Sequence, residues 1–203
     1  VKVEALAIPE VLVITPPRFG DDRGYFQVLY EARAYAEIGL TNPFVQDNAS
    51  FSARGVLRGL HWQIPNPQGK LVQALTGEVW DVAVDIRQGS PTFGHWVAST
   101  LTSQVGNQIW VPPGFAHGFL VLSETALVAY KNTTAYEPQG QCSLRWDDPR
   151  FGIEWPDLGM APTLSPKDEA GWTTDTRRGG QRTPCRRPCG RSSNWRLRSS
   201  VRV

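Results

Sequence analysis

The stretch "EVWDVAVDIR", residues 78–87, decides the fold class. Trp80, Val82, Val84 and Ile86 fall on one side of an extended chain, and Asp81, Ala83, Asp85 and Arg87 on the other. A period of two marks a β-strand, because successive side chains point to opposite faces of the sheet. The polar side belongs either to the partly wet interior of a barrel or to a solvated outer face. The strand alone does not choose between them.

Similar short strands surround it. "NQIWVPP" (107–113), "HGFLVLS" (117–123) and "ALVAYKNTT" (126–134) are apolar runs of strand length. Breakers separate them at Pro65-Asn66-Pro67, Gly89-Ser90-Pro91, Pro112-Pro113-Gly114 and Pro138-Gln139-Gly140. The one persuasive helix is short, "EARAYAEIGL" (31–40), with Gly39 as its stop. Many short strands joined by Pro- and Gly-rich turns predict an all-β antiparallel sandwich or barrel with a few short helices. A jelly roll and an immunoglobulin-like sandwich both fit this pattern. There is no internal repeat and no dinucleotide-binding glycine motif.

The 203 residues are 40% hydrophobic and 20% charged, ordinary values for a globular chain able to bury a sizeable core. No apolar run approaches the roughly 18 residues that span a bilayer. Glu4 and Glu10 interrupt the N-terminal "VKVEALAIPEVLVI", which makes a poor secretory signal. Cys142, Cys185 and Cys189 are too few and too scattered for a disulfide framework. These features predict a cytoplasmic protein with no membrane partner.

The net charge of +2 hides an asymmetry. Residues 176–203 carry nine Arg and no acid, so taking their +9 from +2 leaves −7 on residues 1–175. The chain divides into a domain at 1–175 and an Arg-rich tail at 176–203. The tail has no hydrophobic periodicity and reads as disordered. Its Arg content invites a nucleic-acid partner, but it lacks regularly interleaved aromatics and the body before it is acidic, so none is predicted. Cys185 and Cys189 lack the two further ligands of a structural zinc site.

Within the domain, "VLRGLHWQ" (56–63) sets Arg58 and His61 into a strand. Ideal alternation would send them to opposite faces, so Gly59 must bend the strand or a bulge must intervene. His61, His95 and His117 are the only imidazoles, and none has a second His two residues away. An open three-ligand metal site is therefore not indicated. What remains favours acid–base chemistry, for which imidazole, with an unperturbed pKa of about 6.5, is suited near neutrality. Such a base needs an orienting carboxylate and an acid across the substrate. Asp81, Asp85 and Asp168 are candidate carboxylates, and Tyr25, Tyr130 and Tyr136 candidate acids; spacing does not pair them.

Eight fragments occur in order: "GDDRGYF", "FVQDNAS", "GVLRGLHWQ", "QGKLVQALTGEVWDVAVDIRQGSPTFG", "WVPPGFAHGFLVLSE", "AYKNTTAYEP", "FGIEWP" and "LSPKD". Together, over about residues 5–170, the chain resembles the dTDP-4-dehydrorhamnose 3,5-epimerase family. The resemblance implies a double-stranded antiparallel jelly roll of the cupin-like class that needs no cofactor and no metal. It implies a homodimer in which one subunit's N-terminal segment helps complete the other's site. The implied reaction converts dTDP-4-dehydro-6-deoxy-D-glucose (dTDP-4-keto-6-deoxyglucose) to dTDP-4-dehydro-L-rhamnose by epimerisation at C3 and C5.

By the same resemblance His61 is the base, Tyr130 the acid, Asp168 the carboxylate partnering His61, and Lys70 the group that stabilises the enolate oxygen. Substrate contacts map onto Arg23, Phe26, Gln46, Asp47, Asn48, Arg58, His117 and Lys167, with Tyr136 or Phe26 stacking on thymine. Val28 stands where the family usually has Glu, and Gln141 where a substrate-contacting Glu is common. The chemistry suits these residue types. The charge left by a departing α-proton moves onto the ketone oxygen, where an ammonium or imidazolium stabilises it, and Arg offers bidentate contacts to a diphosphate. Two other readings share these residues: a 3-only or 5-only epimerase on a related dTDP-4-keto-6-deoxyhexose, and a non-catalytic cupin that binds sugar nucleotides.

Overall fold

The computed structural model describes residues 1–171, so the tail expected at 176–203 lies outside the described residues. Two antiparallel sheets enclose the core, their strands numbered in chain order. One runs β1 (Lys2–Ala5), β2 (Leu12–Thr15), β10 (Gln108–Val111), β7 (Lys70–Thr76), β12 (Thr125–Asn132), β5 (Gln46–Ala53). The other runs β13 (Gln141–Ser143), β6 (Leu57–Gln63), β11 (Phe115–Val121), β8 (Glu78–Asp85), β9 (Trp96–Thr102). A hairpin of β3 (Arg18–Asp21) and β4 (Gly24–Gln27) pairs only with itself. Neighbours within each sheet are mostly distant in sequence, the winding of a jelly roll.

The alternation in β8 resolves in favour of the barrel interior. Val79 and Ala83 join Val72, Val128, Phe115 and Phe119 in the core between the sheets. Asp81 and Asp85 share that inward face and are both 0% exposed. The apolar side, Trp80, Val82 and Val84, faces outward yet is also covered, by Leu144, Phe151, Ile153 and Trp155. Trp80 and Trp155 meet nearly edge to face, with centroids 5.1 Å apart.

Helix α1 (Ala32–Glu37) lies inside the predicted 31–40. The Glu31 carboxylate caps it by accepting from the Arg33 and Ala34 amides, and Gly39 ends it at φ +89°. Its buried Tyr35 packs with Ile14, Leu71 and Trp110 on the outer face of the six-stranded sheet.

The bend required between Arg58 and His61 is a bulge. His117 of β11 pairs with His61 and Phe119 pairs with Arg58, so two steps on β11 match three on β6. Gly59 sits there at φ +120°, and a Cβ on it would lie 2.6 Å from the Gly118 Cα and 2.7 Å from the His117 carbonyl oxygen. Only glycine fits. The bulge turns Arg58 and His61 into the same space.

Candidate active site

That space is a cavity of about 350 Å³ between the two sheets. The five-stranded sheet contributes Arg58 and His61 from β6 and His117 from β11. Across the gap, the six-stranded sheet presents two rows fixed by strand register. Gln46, Asn132 and Lys70 form one, and Asn48, Tyr130 and Val72 the next. A single helical turn, α2 (Pro166–Glu169), adds Lys167 and Asp168.

The turn is built to hold Asp168. Ser165 caps it by accepting from the Asp168 amide, and Pro166 occupies its first position, where a missing N–H does no harm. The Ser165 hydroxyl donates to Asp168 Oδ2 at 2.9 Å. Asp168 Oδ1 lies 2.5 Å from His61 Nε2, joining residues 107 apart in sequence. Burial raises the Asp168 carboxyl, but hydrogen bonds from His61, Ser165 and the Gly59 amide outweigh it and hold the group below its usual range. An ionised carboxylate only accepts, so Nε2 of His61 carries a proton and Nδ1 is the nitrogen turned away from the pair.

Three other groups are tuned by burial. The Lys70 ammonium is pushed down to about 8 by desolvation, with Asp81 opposing the fall. Desolvation pushes the Tyr130 phenol up, with Arg58 opposing, so it keeps its proton at neutral pH. Asp81 is likewise raised by burial against the pull of His117 and then Lys70. His117 Nε2 lies within hydrogen-bond distance of both Asp81 oxygens, at 3.0 and 2.9 Å.

Along one wall a hydrogen-bond chain orders the remaining polar groups. The Tyr136 hydroxyl donates to Gln141 Oε1, its amide donates to Gln46 Oε1, and Gln46 Nε2 donates to Asn48 Oδ1. Among the described residues no group of three or more His, Cys, Asp or Glu is placed to hold a metal ion.

The cavity thus collects His61, Tyr130, Asp168, Lys70, Gln46, Asn48, Arg58, His117, Tyr136, Gln141 and Lys167 of the expected set. Three expected residues lie elsewhere in the chain's own fold. Arg23 is exposed and paired with Asp21, and Phe26, on the same hairpin, is 66% exposed. Asp47 alternates with Gln46 and Asn48 in β5, so it faces the other side and pairs with Lys131 at 2.7 Å. The cavity wall also includes Trp62, Gln63, Gln68 and Phe119, which lie in the quoted fragments but were not singled out as site residues. Asn132 lines it as well, and the period of two from Tyr130 is the signal that would have found it.

Comparison with known proteins gives a consistent answer. A family model described as dTDP-4-dehydrorhamnose 3,5-epimerase matches residues 5–175. A Pseudomonas aeruginosa protein of that name is 54% identical over 171 residues, covering 84% of this chain and 94% of the relative. A Legionella pneumophila dTDP-6-deoxy-D-glucose-3,5-epimerase, solved in complex with dTDP-4-keto-L-rhamnose, superposes with a TM-score of 0.84 at 49% identity over 87% of this chain and 94% of its own. A 3'-monoepimerase from Streptomyces bikiniensis, in complex with dTDP-quinovose, superposes with a TM-score of 0.78 at 33% identity, covering 83% of this chain and 86% of its own.

Proposed function

The chain belongs to the dTDP-4-dehydrorhamnose 3,5-epimerase family, and from that premise we propose how its own residues perform the epimerisation. The substrate is dTDP-4-dehydro-6-deoxy-D-glucose and the product dTDP-4-dehydro-L-rhamnose. The observation that carries the reading is the opposition of the His61–Asp168 pair on one sheet to Tyr130 and Lys70 on the other. A hexose ring entering between the sheets turns one face to each.

His61 Nδ1 takes the proton from a carbon next to the C4 ketone. The bonding pair moves onto the ketone oxygen, and the Lys70 ammonium stabilises the charge that develops there. Tyr130 returns a proton to the same carbon from the opposite face, which inverts it. Proton exchange with solvent then resets His61 and Tyr130. Arg58 and Lys167 hold the diphosphate, Gln46 and Asn48 line its approach, and Tyr136 stacks on thymine.

The experiment is incubation with dTDP-4-keto-6-deoxyglucose in deuterated water, followed by NMR. Deuterium at both C3 and C5 with an L-rhamno product is the expected result. Deuterium at C3 alone would favour the second reading, a mono-epimerase, for which the likeness to the Streptomyces 3'-monoepimerase speaks. No exchange at either carbon would refute catalysis and leave a binding protein.

The site is completed by a second copy of the chain. The β3–β4 hairpin carries Phe19, Tyr25 and Phe26 exposed, together with Arg23, and in a homodimer it would deliver Arg23 and Phe26 to the partner's cavity. Sedimentation should show a dimer, and Phe26→Ala should raise KM more than it lowers kcat. No helix among the described residues is long and apolar enough to cross a membrane.

A further inference from the structure

Two carboxylates point into the barrel from β8, and their surroundings differ. Asp85 is saturated by its own turn, accepting from Arg87, Ser90 and Thr92. Among the described residues none of these partners lines the cavity. Asp81 is equally buried but has no such turn. Among the described residues its two oxygens are reached by His117 Nε2, and the Lys70 ammonium, from the opposite sheet, interacts with it electrostatically. Both His117 and Lys70 line the cavity. A carboxylate removed from water and left with cavity groups as its sole partners is a poor structural device, because burying a charge is costly unless it is fully paired.

We propose that Asp81 is a positioning residue for the epimerisation, fixing the His117 ring and holding the Lys70 ammonium beside the ketone oxygen from beneath the cavity. It does not touch substrate. It acts through the His117 ring and the Lys70 ammonium, one from each sheet, so the oxygen that gathers charge sits between groups whose orientation a single side chain sets. The assignment rests on the functional reading above.

The test is Asp81→Asn, which keeps the shape and removes the charge. The charged and titratable groups lining the cavity with Lys70 are Arg58 and His61 on β6, His117 on β11, Tyr130 on the adjacent β12, Tyr136 beyond it, and Lys167 and Asp168 on α2. In the variant all of these remain, and only the anion that favours the ammonium is lost. The alkaline limb of the kcat profile should therefore move to lower pH. At neutral pH kcat should fall about 10–100-fold, the range found when the partner orienting a functional side chain is removed, while the Kd for dTDP stays within about twofold. Asp81→Glu should keep the limb at its wild-type pH with kcat still reduced, and it serves alone if Asp81→Asn does not fold. A uniform loss at all pH values with the limb unmoved in Asp81→Asn, or an unchanged kcat in either variant, would overturn the inference. If the wild-type protein itself exchanged no protons with dTDP-4-keto-6-deoxyglucose, the functional reading would fail instead.

Discussion

Replacing Asp168 by Asn changes one atom and removes one charge, and the structure says why the site should not tolerate it. Three donors converge on this carboxylate: His61 Nε2, the Ser165 hydroxyl and the Gly59 amide. A carboxamide offers a single accepting oxygen. The Ser165 hydroxyl can rotate and accept instead, but the Gly59 N–H cannot, so His61 and Gly59 compete for that oxygen. If Gly59 wins, the amide NH₂ meets Nε2, and the imidazole must carry its proton on Nδ1, the nitrogen that acts as base. If His61 wins, the tautomer is right but the imidazolium formed on proton abstraction has lost its anion. A hydrogen bond to a charged group contributes about 1.5–3 kcal/mol, or roughly 10–150-fold in rate at 1.36 kcal/mol per decade. Asp168 is only 3% exposed, so solvent does little to screen that loss.

Adding the wrong-tautomer population, kcat should fall about 10²–10⁴-fold, the span usual for loss of general-base function. KM and dTDP affinity should change little, because Asp168 reaches substrate only through His61. The assay is deuterium incorporation at C3 and C5 by NMR, with dTDP binding measured separately by calorimetry. A kcat within about threefold of wild type would refute the argument that this pair sets the base.

Tyr130→Phe keeps the ring and loses the proton, so solvent exchange on the His61 side should outlast net epimerisation; NMR that shows both unchanged would assign the acid elsewhere. The Lys70 ammonium, held at about 8, should impose a fall in kcat above about pH 8 because only its charged form stabilises the enolate. The Tyr130 phenol, raised above its ordinary value, titrates later, and Lys70→Arg should abolish the fall near pH 8 in a stopped pH series. Gly59→Ala forces a Cβ against Gly118 at φ +120° and should cost at least about 2 kcal/mol, a drop of roughly 5 °C or more in Tm by calorimetry.

Strands β8, β10, β11 and β12 were legible from alternation, apolar runs and breakers, whereas β9, within the same stretch, was not singled out. The inward side of β8 was not. Both of its faces are buried, and the cover on the outer face comes from residues 144–155, which have no periodicity to announce it. A dehydrated carboxylate such as Asp81 and a solvated one look the same in sequence. The bulge was legible as a necessity, since Arg58 and His61 had to share a cavity. Gly59 was legible as its pivot, but the close approach that demands glycine was not, because it depends on Gly118 lying opposite, in a strand about 60 residues away. Asp47 is the converse case. Alternation alone forbids Gln46, Asp47 and Asn48 from all facing one cavity of the same chain.

The same geometry explains why acid–base epimerisation suits this fold. Inversion at carbon requires a donor and an acceptor on opposite faces of a ring, held against two surfaces that do not move relative to each other. In this jelly roll the two surfaces are separate sheets joined through one core, with Val72 and Val128 beneath Lys70 and Tyr130 packed among Ala83, Phe115 and Phe119. His61 and its neighbour His117 are fixed by pairing within one sheet, Tyr130 and Lys70 by pairing within the other. Asp168 meets His61 from a capped turn beside the cavity, and Asp81 meets His117 from the neighbouring strand β8. The two His–carboxylate pairs are therefore not redundant. In the proposed reaction the His61–Asp168 pair sets a base that must gain a proton, and the His117–Asp81 pair fixes a ring beside the ketone oxygen.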